Sequence, residues 1–553
     1  MARVHHKSTR GDARDPNLAA VVDLPAFLTT TGELTSADRR TIVDQALTVI
    51  DEVYVHLPLK RAMHAVNPVQ ALKLLRRKVG TLSERQFHNE MIEIFKGLRD
   101  LHTNYVLPAP YRQHTAFLPF LLEEYSDAQG ARHYLVSRLI AGFSHDTFVA
   151  GVEVTHWSGV PIDQAVAINA DREAGSNEAA RHVRGLDDMT VRPMAMSLPP
   201  DANWVIVSYL SDGDEKEIRL PWRVFRPDPV PADGDQADPA SVAMGLDLNM
   251  ELTNHARKAL FIDGQVDFGG ERKDSASTVS ADDINLAEQS QFPETFQFQT
   301  LNSDQGDVGY LRIRTFSSPD SNDFIAEVIR IIGQLPQQGL IIDVRGNGGG
   351  IITSGERLLQ LFSANPIQAE RLHFRNSEVT QQIAESSALG GFANRWANSI
   401  DLAVVTGAIY SQGFPIEDWA TTNAIGQHYH GPVVLITDAR CYSTTDIFAA
   451  GFQDNRLGLI LGVDDNTGAG GANVFTHALL QRVLPGADSP FQGLPNGADM
   501  RVAIRRTTRV GDHAGLPLED LGIQPDAIHR MTRQDVLDGN RDLIAAAVDL
   551  LHA

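Results

Sequence analysis

Two turns in the C-terminal half of the chain carry residues whose types and spacing suit acyl-transfer chemistry. In the first, the apolar run 339–344 ends in Arg345-Gly346-Asn347-Gly348-Gly349-Gly350. Backbone bared by consecutive glycines can present N–H groups to an anion or a developing oxyanion, helped by the helix that follows. The same glycines also suit a tight turn that simply needs positive φ. A dinucleotide motif starting at Gly346 fails, because the glycine it requires is Ile351. In the second turn, Thr437-Asp438-Ala439-Arg440-Cys441-Tyr442 leads to Ser443-Thr444-Thr445-Asp446 and an apolar helix. A serine at a strand-to-helix corner can be a nucleophile whose alkoxide the helix dipole favours. Ser443 and Asp446 also spell a capping box, in which the serine only closes the helix. Cys441 reads as a small packed residue rather than a nucleophile. His428-Tyr429-His430 has the spacing of a metal-binding pair on a strand, but with no carboxylate or cysteine partner it reads as a surface strand end.

The elements that must position these turns form an α/β pattern from residue 301 onward. Val308–Ile313 is a strand; Phe324, Val328, Ile331, Ile332 and Leu335 share a helical face; 339–344, 433–437 and 459–461 are further strands. Strands alternating with helices predict a largely parallel, right-handed sheet with its sites at the carboxyl ends of the strands. Ahead of it, residues 1–38 read as a flexible N-terminal arm and 39–112 as a small helical domain, with Ser36-Ala37-Asp38 and Ser83 as helix starts. Residues 113–225 alternate short strands and turns, with a hairpin about Ser211-Asp212-Gly213-Asp214. That order resembles a PDZ-like module, which binds an extended peptide at a sheet edge; another small β domain fits the same pattern. Residues 226–300 open with Pro227, Pro229 and Pro231, turn polar and acidic, and read as a linker or mobile insertion.

The whole chain sets bounds. Its 553 residues predict several domains, and a formal charge of -22 excludes nucleic acid and anionic membrane surfaces as natural partners. One cysteine precludes an intrachain disulfide framework. No apolar run reaches membrane-spanning length, and the polar N-terminus lacks a signal-like core, so the expected location is cytoplasmic, with signal-independent export left open.

Taken together, Gly309-Tyr310-Leu311-Arg312-Ile313, the 340–350 segment, Pro432–Thr437 with Ser443–Ala449, and Gly515-Leu516-Pro517-Leu518-Glu519-Asp520-Leu521-Gly522-Ile523-Gln524-Pro525-Asp526 resemble the C-terminal-processing and tricorn serine peptidases. The resemblance implies a multidomain protein with a crotonase/ClpP-like α/β core at 301–553, a serine endopeptidase of polypeptide substrates with no cofactor and no metal. One branch of that family takes its base from a lysine after the nucleophile. Here the matching turn is Thr467-Gly468-Ala469-Gly470-Gly471, with Gly470 in the lysine's place, and the last lysine of the chain is Lys273. The other branch, that of tricorn and the chlamydial protease-like activity factor, uses a histidine from the N-terminal region. Leu98-Arg99-Asp100-Leu101-His102-Thr103 is similar to its motif, which makes His102 the implied base of Ser443 and Glu519 its implied support. Where tricorn has a hydroxyl residue before its histidine this chain has Leu101, so Glu519 acts directly or through water, or Thr103 substitutes. For the oxyanion the implied backbone donors are Gly348 or Gly349 together with Thr444. A cleft assembled from two distant segments also suggests that 226–300 gates it. A homodimer is one assembly left open. Two rivals share the fold: a catalytically inert protein binding peptides or hydrophobic ligands, and a crotonase-like acyl-transfer enzyme that would bind coenzyme A.

Overall fold

The structure is a computed structural model that describes residues 21–228, 244–262 and 290–552, apart from Glu33, Pro319, Gly390 and Phe392. Helices Ser36–Thr48, Leu57–His64, Pro68–Lys78 and Glu84–Lys96 build the N-terminal part. Thr35, one residue ahead of the expected start, caps the first of them through a reciprocal bond with Asp38, and Ser83 does the same for the last with Gln86. Part of the expected N-terminal arm is structured: Val21–Asp23 pairs with Arg223–Phe225, and Leu24 and Phe27 are buried behind it. The remainder of the arm, 1–20, lies outside the described residues.

Within 113–225, strands Phe120–Ser126, Arg132–Leu139, Glu153–Trp157, Trp204–Ser211 and Asp214–Pro221 form one antiparallel sheet, and Ile162–Ala170 and Glu178–Asp188 are helices beside it. The Ser211↔Asp214 pairing closes the hairpin expected there.

The C-terminal half is a six-stranded sheet in the order Phe296–Leu301, Val308–Ile313, Leu340–Asp343, Val433–Thr437, Leu459–Gly462, Ala527–Ile528. Only the first pair is antiparallel; the remaining neighbours are parallel. Alternate residues serve the two faces, as the period of a strand requires. Leu311, Ile313, Leu340, Ile342 and Leu435 join the main core with Phe324, Val328 and Ile331 of helix Ser321–Ile332. On the other face, Tyr310, Ile341, Val434 and Ile436 pack under Leu543, Ala547 and Leu551 of helix Arg541–Leu551. A second sheet, containing Asp499–Thr508, receives Asn104–Val106 from the N-terminal part, which ties the His102 loop to the core.

The stretch 226–300 departs from the expected linker where it is described. Met244–Leu246 is a strand antiparallel to Gly349–Ile351, and Leu248–Phe261 is a helix with Leu248, Met250, Ala256, Ala259 and Leu260 buried. The physical reason is local. A three-residue strand leaves no periodic signal, and the apolar positions of the helix follow a proline-rich, acidic lead that reads as solvated. Residues 229–243 and 263–289 of this stretch lie outside the described residues. Among the described residues no helix is long and apolar enough to cross a membrane.

Candidate active site

Ser443 stands at the corner between strand Val433–Thr437 and helix Thr444–Asp454 with φ 64° and ψ -117°. A non-glycine residue held there costs roughly 1–3 kcal/mol, a strain that collects at functional corners because the fold around it over-determines the turn. The surroundings account for it: Ser443 N donates to Asp446 Oδ2 at 3.1 Å, and Asp446 also accepts from Gly470 N at 2.9 Å and from Thr467 Oγ1. Burial pushes the Asp446 carboxyl up to about 7, against the pull of those hydrogen bonds. The Ser443 hydroxyl lies 2.7 Å from His102 Nε2, and both side chains are fully buried.

His102 is positioned by its own loop. Asp100 Oδ1 accepts the His102 N–H at 2.8 Å, Asp100 Oδ2 accepts from Thr103 Oγ1 at 3.1 Å, and Thr103 Oγ1 accepts the Ala503 N–H at 3.1 Å. Thr103 is therefore a brace between the loop and the second sheet. The Tyr442 ring packs on the imidazole at a centroid distance of 4.6 Å, and its hydroxyl accepts the Leu101 N–H at 3.2 Å. On the far side of the ring, His102 Nδ1 is buried without a hydrogen-bond partner among the described residues, 3.9 Å from Asp100 Oδ1. Burial drives the His102 pKa well below the ordinary imidazole value, with Arg501, Lys60 and Arg184 adding to it, so the ring is neutral and can accept a proton.

Glu519 does not meet His102 in a hydrogen bond. Its Oε1 accepts from Lys60 Nζ at 2.6 Å and from Ser176 Oγ at 3.0 Å, and its Oε2 lies 3.8 Å from His56 Nε2. Donor atoms of His56, Asp100 and Glu519 fall within 4.8 Å of one another, so Glu519 stands in a cluster behind Asp100 rather than at the imidazole. Those residue types could ligate a cation, but an ammonium is already seated there: Lys60 Nζ also donates to Asp520 Oδ1 at 2.6 Å and to the Arg99 carbonyl at 2.8 Å. Burial disfavours the Lys60 charge, yet Glu519, Asp520 and Asp100 outweigh it and hold its pKa above the ordinary value. Burial raises Glu519 and Asp100, and mutual repulsion raises Glu519 further.

The glycine turn lies against Ser443. A Cβ on Gly349 would come within 2.9 Å of Ser443 Cβ and 3.0 Å of Thr444 N, and the residue has φ +108°. Gly349 N donates to Asn347 Oδ1 at 2.9 Å, so the sequence's three candidate donors are not equivalent: the Gly349 N–H is already engaged. Cys441 is buried, donates to the Val344 carbonyl at 3.1 Å, and has its thiol pushed well up by burial, as an inert packed residue would. His428 and His430 are exposed on either side of the buried Tyr429.

Gly470, where the other branch carries its lysine, shows why no side chain fits there. A Cβ at this position would lie 1.9 Å from the Tyr442 ring, which fills the space and supports His102. We expect Gly470→Ala to lower stability by about 1–3 kcal/mol through overpacking, measurable as a reduced urea midpoint, and to disturb the tyrosine that packs on the imidazole.

Sequence reading missed His56, Lys60, Ser176, Tyr442 and segment 244–248, where a Cβ on Gly245 would lie 2.6 Å from Ser443 Oγ. The available signal for Lys60 was the Glu519-Asp520 pair, two acids that needed a buried cation once Glu519 was placed in the core.

Residues 307–527 match the model of Peptidase family S41. Among curated proteins, the chain is 46% identical over 55 residues to carboxy-terminal processing protease CtpB of Bacillus subtilis (strain 168), covering 10% of this chain and 11% of that one. It is 23% identical over 222 residues to the chloroplastic C-terminal processing peptidase of Tetradesmus obliquus, covering 40% of this chain and 34% of that one. The chain thus spans about a third or less of each curated relative it matches. Among solved structures it is similar to mature CPAF, with a TM-score of 0.62 and 16% identity over 94% of this chain and 98% of that one. It is likewise similar to mature CPAF complexed with lactacystin, with a TM-score of 0.60, 16% identity and 93% and 98% coverage. At that identity the likeness speaks for a shared multidomain α/β fold. Through residues 307–527 this chain is thus similar to Peptidase family S41.

Proposed function

We propose that this chain is a serine endopeptidase that cleaves polypeptides through an acyl-enzyme on Ser443. The 2.7 Å approach of His102 Nε2 to the Ser443 hydroxyl, made by residues 341 positions apart, carries the reading. In the forward step His102 takes the hydroxyl proton while the oxygen attacks the scissile carbonyl; the imidazolium then protonates the departing amine. Asp100, 3.9 Å from Nδ1, faces the positive charge that forms, and Glu519 reinforces it from behind through the His56–Lys60 cluster rather than by contact. With Gly349 N–H engaged by Asn347, the Gly348 and Thr444 N–H groups are the oxyanion donors this reading assigns. Retention of this whole set favours catalysis over the inert-binder rival.

The nucleophile is covered. A Cβ on Gly245 would lie 2.6 Å from Ser443 Oγ, and the Gly245 carbonyl accepts from Thr444 Oγ1 at 3.1 Å. Segment 244–248 occupies the sheet edge an extended substrate would use, so the chain as folded is held closed. Gly245→Ala should therefore loosen the segment and raise casein hydrolysis at least severalfold, and Ser443→Ala in the same background should remove it. Casein hydrolysis that survives Ser443→Ala would overturn the proposed nucleophile.

A further inference from the structure

The covering segment also marks where a substrate side chain goes. Leu246 pairs with Gly349, and Asp247 N donates to the Gly348 carbonyl at 2.8 Å, so backbone contact with the glycine turn continues two residues past Gly245. At that point Asp247 Oδ2 accepts from Arg184 Nε at 3.1 Å and Nη2 at 2.8 Å, with both side chains buried to within 2% of full enclosure. Arg184 is not held by Asp247 alone. Its Nη1 donates to the Ala180 carbonyl at 3.2 Å and the Ala439 carbonyl at 3.0 Å, and its guanidinium packs on the Tyr442 ring. Those three partners belong to helix Glu178–Asp188 and the nucleophile turn, neither of which leaves with the covering strand. When that strand departs, a fixed guanidinium is left in the cleft with two N–H donors free of their carboxylate. Such a buried, pre-oriented fork demands an anion of planar, carboxylate geometry.

We propose that Arg184 is a specificity-determining residue that selects substrates with an aspartate or glutamate two positions C-terminal to the residue lying on Ser443. This rests on the peptidase reading, since it assumes that substrate replaces 244–248 on the edge of Gly349–Ile351. Asp247 is then an internal mimic of the preferred side chain.

The test uses the full chain carrying Asp247→Ala, which removes the internal competitor, and a fluorescein-labelled peptide with the sequence of residues 241–252. A twin peptide has Asn in place of aspartate. Binding is read by fluorescence anisotropy and cleavage by mass spectrometry. The expected result is binding and kcat/KM at least tenfold better for the aspartate peptide, a preference lost in Arg184→Met. Equal handling of the twins, including failure of both to bind, overturns the assignment, and this comparison needs no Arg184 variant to fold. A third peptide tests the competing carboxylate, a chain terminus: it ends with alanine at the aspartate position and is compared with its amidated form. A free-terminus preference exceeding the aspartate preference would also overturn it. Preferential binding of the aspartate peptide without cleavage would sustain the subsite and refute the peptidase reading.

Discussion

Replacing His102 with glutamine should lower peptide kcat/KM by roughly two to four orders of magnitude while leaving the fold intact. Glutamine approximates the imidazole in length and can fill the space under the Tyr442 ring, but it cannot take the Ser443 proton at 2.7 Å. The same variant has a stability signature that follows from the burial of the imidazole. Burial holds the His102 pKa well below the ordinary imidazole value of about 6.5, so below that pH the unfolded chain binds a proton that the native chain refuses. Stability from this group is therefore lost as pH falls, by at most about 1.4 kcal/mol per pH unit, and the glutamine variant escapes that loss. Urea unfolding at pH 7.5 and 5.5 should show the variant gaining on the wild type at the lower pH. A constant difference across that range would mean the imidazole protonates in the native state.

Lys60→Met should be the most destabilising single substitution in the site, costing on the order of 3–5 kcal/mol. The ammonium is fully buried and serves Glu519, Asp520 and the Arg99 carbonyl at 2.6 to 2.8 Å. Removing it leaves Glu519, Asp100 and Asp520 to repel one another in a buried site, and Glu519 Oε2 already has no hydrogen-bond partner among the described residues. Since Arg99 adjoins Asp100 and stands three residues before His102, the loss should also loosen the His102 loop. Lys60→Arg keeps the charge but not the compact shape, and should recover only part of both. The check is thermal and urea unfolding alongside kcat/KM. A stability loss below about 1 kcal/mol for Lys60→Met would show that the cluster is not held by this cation.

The fold was legible where periodicity runs long. The parallel strands and the helix after Ser443 follow from continuous apolar runs and turn chemistry, and the hairpin at Ser211–Asp214 from its loop residues. Ser443, the glycine turn and His102 were legible through the motifs they share with a family, and the structure brings all three into contact. What stayed hidden depends on tertiary placement. Lys60 sits in Leu57–His64, where a lysine reads as the solvated face of a helix; only the docking of Glu519 and Asp520 makes it a buried cation. Tyr442 reads as a turn residue until the Gly470 backbone and the His102 ring close on it. Glu519 was assigned by its place in a motif, and its carboxyl instead faces Lys60 and Ser176. Met244–Leu246 has too few residues to carry a strand pattern, and its partner Gly349–Ile351 lies more than a hundred positions away.

The central claim is that Ser443 is a nucleophile activated by His102. A fluorophosphonate probe, applied to the full chain carrying Gly245→Ala and followed by peptide mass mapping, reads this in one step. The predicted result is a single stoichiometric adduct on Ser443, with a labelling rate that falls at least a hundredfold when His102 is glutamine. No adduct on Ser443 in folded protein, or an adduct formed at the same rate without His102, would contradict it.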